Sequence, residues 1–345
     1  MSSTTRKHDL ILSTSPFLHA ESTTPKIMGE VLLATIPVML GACWIFGVGV
    51  LLVIAAATIG AVGTEWIFTR TSRQPGTLRD LSALLTGVLL GLVLPPAFPL
   101  WMAFLGGVAS ISLGKLIWGG LGQNVFNPAL VGRAFLQASF PTAITTWAAP
   151  SQGLFSISDR LFSVPMMQAG ADTVSAATPL GLFKFSSEFT RVAQLFIGKV
   201  GGSIGETSAL ILILCGLWLA FRKIFDWRLP ASTLLSVAAF SSIFYFLNPE
   251  KFPNPLFMLF SGGLLFAAVF MVTDPVSTPT TTRGAWVFGI GVGVLVVLIR
   301  LFGGLPEGVM YAILLMNAVT PYINHYTQPR HFGGARKKWS EAKAR

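Results

Sequence analysis

The chain has 345 residues, 52% of them apolar and only 11% charged, with a mean hydropathy of +0.68. A soluble domain carries about 25% charge, so this is a membrane protein. Ten spans of about 20 residues would occupy roughly 200 positions, which excludes a second water-soluble domain of ordinary size. The net charge of +10 does not indicate a nucleic-acid binder, because the Lys and Arg lie between spans rather than on one soluble face.

Residues 1–26 are polar and hold Arg6, Lys7 and Lys26. They lack the short apolar core and small-residue cleavage site of a signal peptide, so the first apolar run reads as a true span. Apolar runs predict spans at about 27–47, 49–69, 80–97, 100–117 and 124–139, then at about 205–222, 229–247, 255–273, 284–302 and 307–325. The 80–97 and 124–139 runs are short and end in Pro or Gly, the mark of half-spanning or broken helices. Ten spans put both termini on one side, and most of the Lys and Arg fall there with them, which makes that side cytoplasmic. The expected fold is therefore an all-α polytopic membrane protein. It divides into a cytoplasmic tail (1–26), a first group of five helices (27–139), an extracytoplasmic loop (140–204), a second group of five (205–325) and a basic cytoplasmic tail (326–345).

The two groups echo each other. Trp118-Gly119-Gly120-Leu121 returns as Phe302-Gly303-Gly304-Leu305, and Thr86-Gly87-Val88-Leu89-Leu90 resembles Ser261-Gly262-Gly263-Leu264-Leu265. An odd number of spans per group turns the second copy upside down, which predicts two inverted five-helix repeats with a binding pathway at the midplane.

Cys43 and Cys215 both sit inside apolar runs, so neither a disulfide framework nor a metal cluster is expected in this chain. Glu30, Glu65, Asp80, Glu206, Asp274 and Glu307 lie within or beside spans, where a carboxylate needs a partner or a water-filled path. Asp274 stands in Val272-Thr273-Asp274-Pro275-Val276-Ser277-Thr278-Pro279, whose prolines force non-helical backbone. Free carbonyls beside that carboxylate and the Thr273 hydroxyl could coordinate a cation, or the segment could be a helix stop and turn. Gly201-Gly202-Ser203-Ile204-Gly205-Glu206-Thr207-Ser208 is either an anion-binding helix start or a plain capping box. Gly122-Gln123-Asn124-Val125-Phe126-Asn127-Pro128 is likewise either a cap or a site for a polar ring.

The most specific signal is in the outer loop. Asp172-Thr173-Val174-Ser175-Ala176-Ala177-Thr178 reads Asp-x-x-Ser/Thr-small-Ala-Thr, the pattern on which bacterial flavin transferases attach FMN by a phosphoester to the last Thr. Those enzymes act outside the membrane, where the charge pattern independently places this loop.

Over nearly its whole length the chain resembles the RnfD/NqrB family. These are the RnfD subunits of Rnf ferredoxin:NAD+ oxidoreductases and, more distantly, the NqrB subunits of sodium-pumping NADH:quinone reductases. The resemblance is carried by Leu12-Ser13-Thr14-Ser15-Pro16-Phe17, Leu85-Thr86-Gly87 through Leu94-Pro95-Pro96, Gly119 through Ala129, Gly205-Glu206-Thr207-Ser208-Ala209-Leu210 and Thr273-Asp274-Pro275-Val276-Ser277. The length and short N-terminal segment look like RnfD, and Ala176 stands where the flavinylation pattern often has Gly.

The resemblance implies a urea-transporter-like bundle in the bacterial cytoplasmic (inner) membrane, with covalent FMN on Thr178 and a second, non-covalent flavin such as riboflavin. Asp172 and Ser175 would be recognised by the flavin transferase, and Asn127, Glu206, Thr207 and Ser208 are candidate contacts of the non-covalent flavin. Asp274 and Thr273 are candidates for a Na+ or H+ path. Expected partners are the other Rnf subunits (RnfA, RnfB, RnfC, RnfE and RnfG) and membrane lipid. Such a subunit belongs to a translocase that couples electron transfer between ferredoxin and NAD+ to ion movement. It has no complete activity alone, since no nicotinamide fingerprint and no cluster-binding cysteines are present. The competing reading is a passive channel or secondary transporter without a redox cofactor, which has no need of the Asp172 to Thr178 pattern.

Overall fold

The computed structural model describes residues 23–72, 77–150, 153–164, 177–186, 188–198, 200–206 and 208–329, and regular structure among them is helical. The first group comprises α1 (Thr24–Phe46), α2 (Gly49–Ser72), α3 (Ser82–Leu92), α4 (Leu100–Gly114) and α5 (Pro128–Ser139). Three short helices follow: α6 (Pro141–Ile144), α7 (Pro179–Ser186) and α8 (Val192–Ile197). The second group is α9 (Ala209–Phe221), α10 (Arg228–Leu247), α11 (Pro255–Phe260), α12 (Leu264–Phe270), α13 (Thr282–Phe302) and α14 (Val309–Thr327). Five segments are long and apolar enough to cross a membrane: Thr24–Phe46, Gly49–Thr71, Leu100–Trp118, Arg228–Leu247 and Thr282–Phe302.

The short runs are short for local reasons. At 1.5 Å per residue the 11 residues of α3 rise only about 16 Å, and the helix ends just before Pro95 and Pro96, which disfavour helical backbone ahead of them. α5 cannot extend backwards past Pro128. Asn127 caps it, its Oδ1 accepting the N–H groups of Ala129 at 3.0 Å and Leu130 at 3.4 Å. The sixth run begins later than expected, at Ala209, with Ser208 as its N-cap.

The expected continuous span over 255–273 is not formed. The chain leaves the helix after Phe260 and re-enters it at Leu264. Gly262 makes the bend at φ +62°, in the left-handed region open to glycine, and a Cβ there would lie 2.7 Å from Leu180 Cδ1. The two sequence echoes therefore differ. Gly119-Gly120 and Gly303-Gly304 each follow a long apolar helix, whereas Thr86 to Leu90 lies inside α3 and Ser261 to Leu265 crosses this break.

Small residues bring pairs of long helices together. α2 packs chiefly along α4, and α10 along α13. A Cβ on Gly107 would collide with the Ala57 carbonyl, one on Gly289 with Ser232 and one on Gly293 with Ser236, so these backbones touch.

A buried ion pair ties α2, α3 and α4. Lys115 Nζ donates to Glu65 Oε1 at 2.7 Å and to Ser82 Oγ at 2.6 Å, and Ser82 Oγ donates to Asp80 Oδ1 at 2.7 Å. Both Lys115 and Glu65 are buried. Replacing one partner strands the other charge, a cost of about 3–5 kcal/mol. Lys115→Met is expected to destabilise the detergent-solubilised protein by that amount in equilibrium unfolding, and Lys115→Met with Glu65→Leu to recover most of it.

Candidate functional site

Among the described residues, two cavities between the helices meet the residues expected to be functional. The larger, about 480 Å³, is walled by Thr178, Arg133, Glu206, Glu307, Trp147 and Phe266, with further apolar groups. The smaller, about 60 Å³, meets Asp274, Thr273, Asn127, Asn124, Lys115 and Thr86. α5 and α12 line both.

Thr178 starts α7. Pro179 follows it as the first helical residue, the Thr178 Oγ1 accepts the Gly181 N–H at 3.1 Å, and the Thr178 carbonyl accepts the Leu182 N–H at 2.8 Å. The residue is only 4% exposed. Leu180 seats α7 in a small apolar cluster with Leu195 and Phe257. At the other end Lys184 Nζ donates to three carbonyls just beyond or at the end of α13: Arg300 at 3.3 Å, Leu305 at 3.2 Å, and Gly303. Cations favour helix C-termini, where carbonyls lack partners. Burial pushes the Lys184 ammonium below its ordinary value.

Charged groups converge on the same cavity. Arg133, from α5, donates to Glu307 Oε2 at 2.8 Å. Glu307 lies in the connection between α13 and α14. Burial pushes it up to about 7, the nearby Glu206 carboxylate adds to the rise, and Arg133 and Arg300 oppose it. Glu206 sits in the turn before α9, where its Oε2 accepts the Ser203 N–H at 3.4 Å. Of the two readings of this segment, the bond is one half of a capping box, in a 3-10 turn rather than at the helix start. The Oε1 atoms of both Glu206 and Glu307 are inaccessible to solvent and have no hydrogen-bond partner. Arg300, buried in α13, donates to the carbonyls of Met258 at 2.6 Å and Ser261 at 2.9 Å, closing the C-terminal end of α11 at the break.

In the smaller cavity Asp274 Oδ2 accepts from Ser277 Oγ at 2.7 Å, and the Asp274 carbonyl accepts from Thr278 Oγ1 at 2.6 Å. Asn127 Nδ2 donates to the Met271 carbonyl at 3.4 Å. Asn124 is buried, and its Oδ1 is unpartnered.

The residues expected to act together are thus divided. Thr178 and Glu206 share the larger cavity, whereas Asn127, Thr273 and Asp274 share the smaller. Ser208 accepts the Ile211 N–H at 3.5 Å and donates to the Phe196 carbonyl at 3.3 Å, and it lines neither cavity. Asp172, Ser175 and Thr207 fall outside the described residues. Arg133, Lys184 and Arg300 were not singled out by the sequence pattern. The available signal was a lone cation in an apolar run, at Arg133 and Arg300.

A bundle of apolar helices, interrupted within its interior and enclosing a largely apolar cavity that a few charged groups line, defines a polytopic membrane protein. The chain belongs to the NQR2, RnfD, RnfE family, whose sequence profile matches residues 11–333. It is 39% identical over 341 residues to the D component of the proton-translocating ferredoxin:NAD(+) oxidoreductase complex of Clostridium ljungdahlii, covering 96% of this chain and 98% of that one. The D component of the ion-translocating oxidoreductase complex of Yersinia enterocolitica is 40% identical over 346 residues, covering 94% and 99%. The corresponding component of the Escherichia coli complex is 37% identical over 344 residues, covering 93% and 98%.

Lys184 is the polar fastening of α7. Bonds to a charged group contribute about 1.5–3 kcal/mol, and 1.4 kcal/mol is a factor of ten. Lys184→Met is therefore expected to speed hydrogen exchange at the Leu182 amide about tenfold or more, as measured by exchange mass spectrometry, with the amides of α2 unchanged.

Proposed function

We propose that this chain is the flavin-carrying membrane subunit of an ion-translocating oxidoreductase complex, with FMN esterified to Thr178 and its ring in the larger cavity. The observation that carries the reading is the position of Thr178. The last residue of the flavinylation pattern is a hydroxyl in the wall of a cavity of about 480 Å³, within the roughly 300–1,000 Å³ of ligand sites. The donor set also suits such a group, with apolar and aromatic walls for a planar ring and the Arg133 guanidinium for its polar edge. FMN supplies exchange between one-electron and two-electron carriers. Thr178 would serve as tether, α7 as the rigid mount, and Asp172 and Ser175 as recognition residues for the transferase.

The smaller cavity is the proposed ion path. Asp274, Thr273 and Asn127 offer it oxygen atoms, and its volume of about 60 Å³ suits a small cation or a few waters. It leaves no room for the non-covalent flavin, riboflavin in this reading. The C. ljungdahlii relative is named as proton-translocating and the others as ion-translocating. Electrons would enter from ferredoxin and leave towards NAD+ through those partners.

In this reading the two groups of five spans are inverted repeats of a urea-transporter-like bundle. The matching pairings of α2 with α4 and α10 with α13 support it. Both termini lie in the cytoplasm, the membrane is the bacterial inner membrane, and residues 140–204 face outward, as the distribution of Lys and Arg supports.

Mass spectrometry of the chain purified from cells containing the transferase is expected to show an excess of one FMN moiety, absent from Thr178→Ala. An unmodified wild-type Thr178 would overturn the flavin reading and leave the channel or transporter alternative in its place.

A further inference from the structure

We propose that Glu206 and Glu307 form a proton-binding site in the wall of the larger cavity, loaded when negative charge enters that cavity. The inference deepens the flavin reading and rests on it for the source of the charge.

The carboxylates come from different elements, Glu206 from the turn before α9 and Glu307 from the connection between α13 and α14, yet both meet the cavity that Thr178 lines. Each has one satisfied oxygen and one that is sealed from solvent without a partner. A carboxylate oxygen left in that state has the geometry to hold a proton, since the neutral form needs fewer hydrogen bonds than the charged one. The charged groups around Glu307 are Arg133 from α5, Arg300 from α13 and Glu206 itself. Lys184 from α7 lies along the same connection, on the Leu305 carbonyl. With both carboxyls ionised, the two acids balance the two guanidinium groups. One added negative charge disturbs that balance.

The sign follows from simple electrostatics. Negative charge near a carboxylate favours its neutral form, and the effect is several-fold larger in a medium of low dielectric than in water. The same charge attracts the Arg133 guanidinium and weakens its hold on Glu307, which also favours protonation. Burial and the Glu206 carboxylate already hold Glu307 above the ordinary carboxylate range, so added negative charge moves it further towards its neutral form. An electron delivered from ferredoxin to the group tethered at Thr178 adds one negative charge. One proton from water then forms an O–H bond at a Glu307 oxygen, so one electron and one proton enter together. Passing the electron to the next carrier lets the proton leave.

Reduction-induced infrared difference spectra of the intact complex test this. Wild type is expected to gain a protonated-carboxyl band on reduction, and Glu307→Gln to lose at least nine-tenths of it while Gln still accepts from Arg133. Glu206→Gln removes a neighbouring negative charge and is expected to lower the midpoint at which Glu307 takes its proton. In Thr178→Ala the redox-induced band should vanish, while a direct pH titration still finds a buried carboxyl with a midpoint near 7. FMN-bearing wild type that is reduced without any carboxyl gain overturns the proposal, as does a band that survives Glu307→Gln. If Thr178 proves unmodified, the flavin reading falls, and the titration alone then decides. A near-neutral midpoint lowered by Glu206→Gln upholds the proton site, and a midpoint in the ordinary carboxylate range overturns it.

Discussion

A helix can stop inside an apolar bundle only if the carbonyls it leaves unpaired find donors, because hydrocarbon supplies none. Arg300 provides those donors for α11. With the Met258 and Ser261 carbonyls satisfied, the chain turns at Gly262 and restarts as α12, and the gap between the two helices becomes the place where other elements meet. Leu180 of α7 abuts Gly262, and Glu206 abuts Gly263. Lys184 in turn uses the carbonyl of Arg300 itself as an acceptor. Thr178 is thus held from two sides, by the packing of Leu180 on the turn that the Arg300 guanidinium closes and by the bond of Lys184 to the Arg300 backbone carbonyl. The neighbouring interruptions follow the same rule with other donors and acceptors, Asn127 at the start of α5 and Asp80 with Ser82 at the start of α3.

The arrangement places two cavities in series rather than side by side. α5 contributes Arg133 to one and Asn127 to the other, and the α12 region contributes Phe266 to one and Asp274 to the other. The two helices are joined where Asn127 Nδ2 reaches the Met271 carbonyl. On α14, Met310 faces the larger cavity, and Thr320 bonds the Ser277 carbonyl at 3.1 Å beside Asp274. Asn317 lies between them, 1% exposed and with neither side-chain polar atom partnered.

Much of this was legible in the sequence because the underlying signals are local. Apolar runs gave the five long apolar helices, the prolines at Pro95 and Pro128 marked the short helices, and Asp274 with Pro275 marked non-helical backbone. The last Thr of one heptapeptide led to the larger cavity. The break at Gly262 was hidden, because Ser-Gly-Gly in an apolar run reads equally as a close-packing surface such as the one Gly107 makes. The ion pairs were hidden for another reason. A lone Lys115 or Arg133 in an apolar segment announces an electrostatic cost but not its partner, which lies 50 residues away in one case and 174 in the other. Only the folded bundle determines that Glu307, rather than any other carboxylate, meets Arg133.

The enclosure of the Thr178 hydroxyl also constrains biogenesis. The residue is only 4% exposed, so an FMN attached there, as proposed above, would have to be joined before α7 settles with Lys184 on the end of α13. In that reading attachment comes first and docking of the helix second.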